Sequence, residues 1–137
     1  GRTDRPMSMQ LEIRPESGFL KVAATGTSSL DEAKRTFVEM LEAVALHETA
    51  KALFDGRQLL GEPKVLERFY YGEFAAQTVR DYSVRGVSLA TQFAYVLKEP
   101  VLDPKRFGEN VAVNRGMNTK VFDNPEDALQ WLEPGPT

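Results

Sequence analysis

The sequence predicts an α/β domain with four helices, whose five-stranded mixed sheet begins with an antiparallel hairpin and continues in βα units. Two observations favour this class. Near the start of the chain, two short strand-like stretches are joined by a turn. Further on, Ala50–Phe54 has a strand pattern with an amphipathic helix pattern before it and another after it. That arrangement is typical of a central parallel strand.

The opening hairpin follows from a period of two in the apolar residues. Leu11 and Ile13 alternate with polar residues, which is typical of a strand with one solvated face. Pro15–Gly18 predicts a turn, and residues 19–24 predict a second strand that pairs with the first. Thr25–Ser28 is expected to end that second strand.

The first helix has a capping-box sequence at its start. Ser29 is expected to accept a hydrogen bond from the backbone at position 32, and the Glu32 side chain is expected to reach back to Ser29. Apolar residues then recur at helical spacing as far as Val44. His47, the only histidine, stands where this pattern ends. Because the sequence places no catalytic partner beside it, we interpret His47 as a surface residue near a helix C-terminus.

The second helix carries four aromatic residues within six positions, more than one sheet face needs. At ~100° per residue, Phe69, Tyr70 and Phe74 can share the side that packs on the sheet. Tyr71 and Tyr82 are then expected at the surface, where large aromatic side chains mark contact surfaces. Core packing is the competing interpretation of the whole cluster. The candidates for a partner surface or pocket wall are Phe69, Tyr70, Tyr71, Phe74, Tyr82 and Tyr95.

The second half of the chain alternates strand and helix patterns. Residues 84–90 have no regular pattern, and Gln92–Leu97 predicts a buried strand. Asp103-Pro104 predicts the start of a third helix that ends at Gly116. A strand at Asn110–Asn114 is the alternative, but it would leave no crossover before the next strand, so we favour the helix.

The last strand and helix complete a single domain. Thr119–Phe122 predicts the strand, and Asn124-Pro125 followed by acidic residues predicts the helix start. We expect one domain at residues 9–133, a loose or tag-derived leader at 1–8 and a short tail at 134–137.

Composition argues against several classes of function. The 137-residue chain has no cysteine, which removes disulfides, thiol nucleophiles and thiolate metal sites. Its formal charge of −3 includes no basic block, so we expect no nucleic-acid partner. No apolar run approaches the ~20 residues of a membrane-spanning helix. We expect a cytoplasmic protein without a membrane span.

No catalytic or cofactor motif is present in the sequence. The spacing of Gly56 and Gly61 matches a phosphate loop, but Glu62-Pro63 replaces the Lys-Ser/Thr that phosphate binding needs. There is no G-x-G-x-x-G sequence and no serine in a nucleophile elbow. The carboxylates and the one histidine have no metal-ligand spacing. We therefore predict no enzyme activity, no cofactor and no metal site.

Three passages resemble a known family. They are the hairpin at Gly18–Val22, the strand and loop at Leu53–Arg57, and the ending at Asn118–Leu132. In order and pattern they resemble the STAS domain, and within it the SpoIIAA-like (STAS/SEC14-type) small bacterial proteins. The resemblance spans about residues 9–132.

This resemblance implies a regulatory or protein-interaction role. STAS domains act in sigma-factor regulation and in anion transporters, and some bind nucleotides or lipids. In the anti-sigma-factor antagonists, a phosphorylatable serine follows an aspartate whose position Asp55 matches. Here no serine or threonine occurs from Ala50 through Gln77, so a phosphoserine switch is not expected at that place.

The most polar candidate site is Asp55, Gly56 and Arg57, with Lys98 from the neighbouring strand. In one interpretation these residues form a pocket in which Arg57 binds a carboxylate or phosphate. In the other, Asp55 caps the turn and Arg57 pairs with Asp55 or with Glu99. A second hypothesis is a small-molecule binding protein, for a lipid, nucleotide or anion, with an apolar pocket between the second helix and the sheet. The expected partners are therefore another protein, a second copy of the chain, or a small apolar or anionic ligand.

Overall fold

The computed structural model of the protein describes residues 8–133, and its five strands form one mixed sheet in the order β1-β2-β3-β4-β5. Only β1 and β2 are antiparallel; the other neighbours are parallel. This confirms the predicted fold class. The strands are β1 (Met9–Glu16), β2 (Phe19–Thr27), β3 (Lys51–Leu60), β4 (Gln92–Val96) and β5 (Asn118–Phe122). The helices are α1 (Leu30–His47), α2 (Val65–Ser83), α3 (Phe107–Asn114) and α4 (Pro125–Leu132). Except for Ser8, the expected leader and tail lie outside the described residues.

The opening hairpin is tighter than predicted. The prediction of a four-residue turn was wrong, because β1 continues through Pro15 and Glu16. Proline is tolerated there since β1 is an edge strand, where a missing backbone N–H need not cost a ladder hydrogen bond. Ser17 and Gly18 alone make the turn, and Gly18 has φ of +90°, which glycine adopts without a steric penalty.

The central strand is also longer than predicted. Asp55-Gly56-Arg57 was expected to break it, but β3 runs through these residues. β2 likewise runs on to Thr27 instead of ending after Ala24. The two strands stay paired because a β-bulge places Ala23 and Thr25 of β2 opposite Asp55 and Gln58 of β3. One extra residue in β3 is absorbed there without ending the ladder.

The start of α1 is confirmed, with one difference. The Ser29 hydroxyl accepts from the Glu32 backbone N–H at 3.2 Å, as predicted. The Glu32 carboxylate does not complete the capping box. It accepts instead from the Met9 backbone N–H at 2.9 Å and from Arg35, and so joins the helix to the edge strand.

The starts of α2 and α3 both lie after the expected residues. α2 begins at Val65, where the Glu67 carboxylate accepts from the Lys64 backbone N–H, so Pro63 precedes the helix. The helix at 107–114 is confirmed over the strand alternative. It starts later than Asp103 because that carboxylate accepts from the Phe107 and Lys105 backbone amides and so closes a turn ahead of the helix.

Two apolar cores lie on opposite faces of the sheet. The larger one lies between the sheet and helices α1, α2 and α3, with Phe37, Met40 and Phe93 at its centre. The smaller one lies under α4 and is built around Leu53 and Val96. Side chains alternate between these faces along each strand, so the buried residues of β3 and β4 divide between the two cores.

Candidate functional site

A cavity of about 170 Å³ opens between α2 and the carboxyl ends of the parallel strands. It lies on the face that α1, α2 and α3 cover. Its walls are mostly apolar and come chiefly from helices α1, α2 and α3 and from strands β3, β4 and β5. They include Ala33 of α1, Phe54 and Leu59 of β3, Tyr71, Gly72 and Ala75 of α2, Tyr95 of β4, Val121 of β5 and Ala112 of α3. In open α/β sheets this end of the strands is the usual place for ligands.

α2 can border the cavity because its inner face is made of small residues. Gly72, Ala75 and Ala76 are buried along this face, followed by Val79 one turn later. A Cβ atom at Gly72 would lie 2.7 Å from the carbonyl oxygen of Gly108 in α3. The missing side chain therefore allows α2 and α3 to approach each other closely.

Tyr71 is not at the surface, so that prediction was wrong. Its hydroxyl lies 2.6 Å from the hydroxyl of Tyr95, and its ring packs edge-on against Phe37. Tyr71 shares a helix face with Ala75 and Val79, because positions three, four and eight residues apart fall on one side. The run of aromatic residues had therefore led to a wrong prediction of which side of α2 faces the protein interior.

Burial changes the acid–base properties of the two phenols. It raises the pKa of Tyr71 above the ordinary value, although the hydrogen bond with Tyr95 acts in the opposite direction. Burial likewise raises the pKa of Tyr95, and the Tyr71 hydroxyl adds to the effect. Both groups are therefore neutral at physiological pH, and both line the cavity.

Charged side chains surround the mouth of the cavity. The Arg68 guanidinium donates to the carbonyls of Val101 and Pro100, at 2.8 and 2.9 Å. Arg106 donates to the Val121 carbonyl. Four acidic residues line the same opening: Glu62, Glu67, Asp103 and Glu109. Sequence reasoning assigned none of these residues to a site, since they come from two stretches, residues 62–68 and 103–109, that only the fold brings together.

The Asp55–Arg57 pair lies on the other face of the sheet. Asp55 follows Leu53 on the α4 side, while the cavity residue Phe54 points the opposite way. The Arg57 guanidinium donates to both Asp55 carboxylate oxygens, at 2.9 and 2.8 Å, and its backbone N–H donates to Oδ1. The hydrogen bond and charge of Arg57 lower the pKa of the Asp55 carboxyl despite partial burial.

The other members of this predicted polar pocket do not complete it. Gly56 is buried within β3, and Lys98 is exposed just beyond the end of β4. No hydrogen bond or ion pair in the described part of the chain joins Lys98 to Asp55 or Arg57. The geometry therefore matches the interpretation in which Asp55 and Arg57 satisfy each other.

The remaining aromatic candidates on α2 have different surroundings. Phe69 stacks on Phe107 of α3, and Phe74 lies against Lys34 of α1. Tyr70 is exposed, with 46% of its surface accessible. Tyr82 is partly buried, and its hydroxyl donates to Glu42 of α1 at 2.5 Å. Of the aromatic candidates, only Tyr71 and Tyr95 line the cavity.

Neither a metal cluster nor a membrane helix is found in the part of the chain that the structure describes. Residues 8–133 bring together no group of three or more histidine and acidic side chains in metal-binding positions. Over the same residues, every helix is too short or too polar to cross a bilayer.

Two solved structures are similar to this chain over nearly its whole length. One is an anti-sigma factor antagonist from Mycobacterium paratuberculosis, with a TM-score of 0.61, 15% identity, and 95% of this chain and 98% of that chain covered. The other is an uncharacterized protein of the DUF3478 family from Shewanella loihica PV-4, described as having a SpoIIAA-like fold. Its TM-score is 0.53 at 19% identity, with 96% of this chain and 99% of that chain covered.

The protein has a SpoIIAA-like fold. The resemblance seen in the sequence is thereby confirmed at the level of the fold. No protein-family model matches the chain, and neither does any curated protein. Within the SpoIIAA-like fold, the cavity lies on the three-helix face of the sheet, and the Asp55–Arg57 pair lies on the α4 face.

Proposed function

We propose that this protein is a regulatory binding module without catalytic activity. It takes a small, mostly apolar molecule into the cavity beside α2, and it contacts a protein partner through the outer face of the same helix. The cavity is the observation that carries this proposal.

The size and lining of the cavity suit a small ligand. Engineered apolar cavities of roughly 150 Å³ bind benzene. The space beside α2 is about 170 Å³, mostly apolar, and open to solvent at its charged mouth. Ligand pockets commonly combine such walls with a few placed polar groups. Here the Tyr71 and Tyr95 hydroxyls supply those groups.

The residues around the cavity also support a non-enzymatic role. Burial raises the pKa of both phenols further above their ordinary value, so neither supplies a phenolate base or nucleophile at physiological pH. His47, the sole histidine of the sequence, is exposed at the end of α1 and does not line the cavity. With no serine or threonine between Ala50 and Gln77, we propose that ligand occupancy takes the place of phosphorylation in that segment.

Ligand-detected NMR with isopropylbenzene tests the cavity. We expect saturation transfer to isopropylbenzene from the wild-type protein and its loss in Ala75→Leu, where the added methylenes fill the space. Tyr70→Ser is the matched control because Tyr70 lies on the opposite face of α2 and does not line the cavity. Equal binding to Ala75→Leu and the wild type would show that the molecule binds elsewhere.

The exposed residues of α2 favour a second activity, protein contact. Val65, Leu66 and Tyr70 are exposed on the first two turns of α2, and Phe107 is exposed at the start of α3, where it stacks on Phe69 of α2. We call the four exposed residues the outer patch. Exposed apolar side chains in such a group mark interaction surfaces. One protein of similar fold is described as an anti-sigma factor antagonist, which supports a protein partner for this chain.

Self-association through the outer patch is tested by light scattering over a range of concentrations. The surface variant must be Leu66→Ser/Tyr70→Ser, because Tyr71 lies inside the protein. We expect the wild type to gain apparent mass with concentration and this variant to remain monomeric. Ala75→Leu is the control and should behave like the wild type. A wild type that stays monomeric at every concentration would contradict self-association.

A further inference from the structure

The paired tyrosines leave one hydroxyl hydrogen free to bind a ligand. Each phenol carries one hydrogen, and the bond between the Tyr71 and Tyr95 oxygens uses one of the two. Among the described residues, neither hydroxyl has a second partner. Since both residues line the cavity, we infer that the remaining hydrogen can be donated to a molecule inside it.

A buried hydroxyl hydrogen without an acceptor is unfavourable. An apolar ligand that fills the cavity removes water from this hydroxyl and gives it no hydrogen bond in return. A ligand that brings one acceptor into the cavity restores that bond. A wholly apolar ligand leaves it unmade, so the tyrosine pair distinguishes the two kinds of molecule.

The charges at the mouth oppose an anionic ligand. Four carboxylates and two guanidiniums line the opening, and the guanidiniums already donate to backbone carbonyls. Burial of Asp103 opposes its ionisation, but the amides of Phe107 and Lys105, together with the charges of Arg68 and Lys105, lower the pKa of the carboxyl. The opening therefore carries net negative charge at neutral pH, and a carboxylate or phosphate entering it is repelled.

We propose that the cavity selects a neutral, compact apolar molecule that carries one hydrogen-bond acceptor, such as an aryl or short-chain ketone. The acceptor binds the Tyr71–Tyr95 pair, and the apolar body contacts the small-residue face of α2. This inference rests on the proposed function of the same cavity. Of the apolar and anionic ligands that the sequence had suggested, it favours a neutral, apolar one.

Three probes of nearly equal size and shape test the selection. Acetophenone has a carbonyl, isopropylbenzene has a methyl group in its place, and benzoate has a carboxylate. We expect acetophenone to bind the wild-type protein roughly three- to ten-fold more tightly than isopropylbenzene, which is the effect of one net hydrogen bond. Benzoate is expected to bind most weakly. Titrations followed by protein NMR give the three affinities.

Removing both hydroxyls should abolish the preference. In Tyr71→Phe/Tyr95→Phe we expect acetophenone to bind no more tightly than isopropylbenzene, because its carbonyl then enters the cavity without a hydrogen-bond donor. Tyr70→Phe, an exposed tyrosine one position away on the same helix, is the matched control and should keep the wild-type ratio. If the double variant does not fold, the infrared frequency of the carbonyl stretch is measured for acetophenone bound to the wild-type protein. A hydrogen bond from the tyrosine pair lowers this frequency below that of acetophenone in a hydrocarbon solvent.

The outcomes separate this inference from the proposed function. Equal wild-type affinities for acetophenone and isopropylbenzene, tightest binding of benzoate, or an unshifted carbonyl stretch would overturn the selection while leaving a ligand cavity. Binding of none of the three probes would overturn both.

Discussion

Two polar pairs, Asp55–Arg57 and Tyr71–Tyr95, each include a residue of a parallel strand. They lie on opposite faces of the sheet. Asp55 and Arg57 are two residues apart in one strand, and their hydrogen bonds satisfy each other at the surface. Tyr71 and Tyr95 are 24 residues apart, come from a helix and a strand, and lie beside an open volume. Asp55 and Arg57 use most of their hydrogen-bonding groups on each other and have few left for a ligand. The Tyr71 and Tyr95 hydroxyls share one hydrogen bond, so one hydroxyl hydrogen has no acceptor among the described residues.

The two faces of the sheet also differ in how completely side chains fill the space between the sheet and its helices. Under α4, Ala94 and Ala128 are fully buried in a small core that borders no part of the cavity. On the three-helix face, Ala75 borders the cavity. We therefore expect the same kind of substitution to have different consequences on the two faces.

The largest expected effect is the loss of Phe37. Its ring is 1% exposed and contacts both Tyr71 and Phe93, at centroid distances of 6.0 and 5.6 Å. Phe37→Ala should lower the free energy of unfolding by about 3–5 kcal/mol, as truncation of a buried aromatic residue does. Urea denaturation measures it. Phe122→Ala on the α4 face should cost less, since Phe122 is only partly buried. Equal losses would mean that the two cores contribute alike.

A smaller effect is expected from enlarging one alanine on each face. Ala128→Leu should destabilise the protein by about 1–3 kcal/mol, because the α4 core has no room for the added methylenes. Ala75→Leu should cost less than ~1 kcal/mol, since its side chain can enter the cavity. Thermal and urea unfolding of the two variants give the comparison. A loss at Ala75→Leu as large as at Ala128→Leu would show that the cavity cannot accept atoms.

The smallest effect is expected for the Asp55–Arg57 pair. Asp55→Asn should cost at most ~1 kcal/mol at pH 7, because Arg57 is partly solvated and such pairs contribute little. The pKa of Asp55 is lower in the folded state than the ~3.9 of a free aspartate. Its contribution is therefore fully present above that free value and is lost as the pH falls through the folded-state pKa.

A double-mutant cycle of Asp55→Asn and Arg57→Gln measures this contribution by urea denaturation at several pH values. The coupling energy should be present at pH 7 and vanish in strong acid. A coupling that stays constant across the pH range would assign the contact to hydrogen bonding independent of the carboxylate charge.

The fold could be predicted from the sequence because its signals are local. Period-two strands, the Ser29 cap and the Asn124-Pro125 start each depend on a few neighbouring residues, and all three are present in the structure. The bounds of β2 and β3 could not be predicted, because pairing between them extends each strand past residues that resemble a turn. Strand pairing overrides local turn preference there.

The orientation of α2 was predicted wrongly for a related physical reason. Phe69, Tyr70 and Phe74 were expected to face the sheet, but the inner face consists of small residues, Gly72, Ala75 and Ala76, together with Tyr71. Apolar residues occur on several sides of this helix, so periodicity alone did not identify its inner face. Close approach to α3 at Gly72 favours the orientation that is observed.

The sequence by itself therefore determined the fold class, the succession of nine elements and the absence of cysteine chemistry and of the recognised catalytic motifs. These properties depend on composition and on contacts between neighbours in the chain. Only the tertiary structure decided that Tyr71 meets Tyr95, that a cavity opens beside them, and that Asp55 and Arg57 lie on the other face. Each of these depends on the rotation of one element against another, which is decided by packing over the whole sheet and not by any single segment.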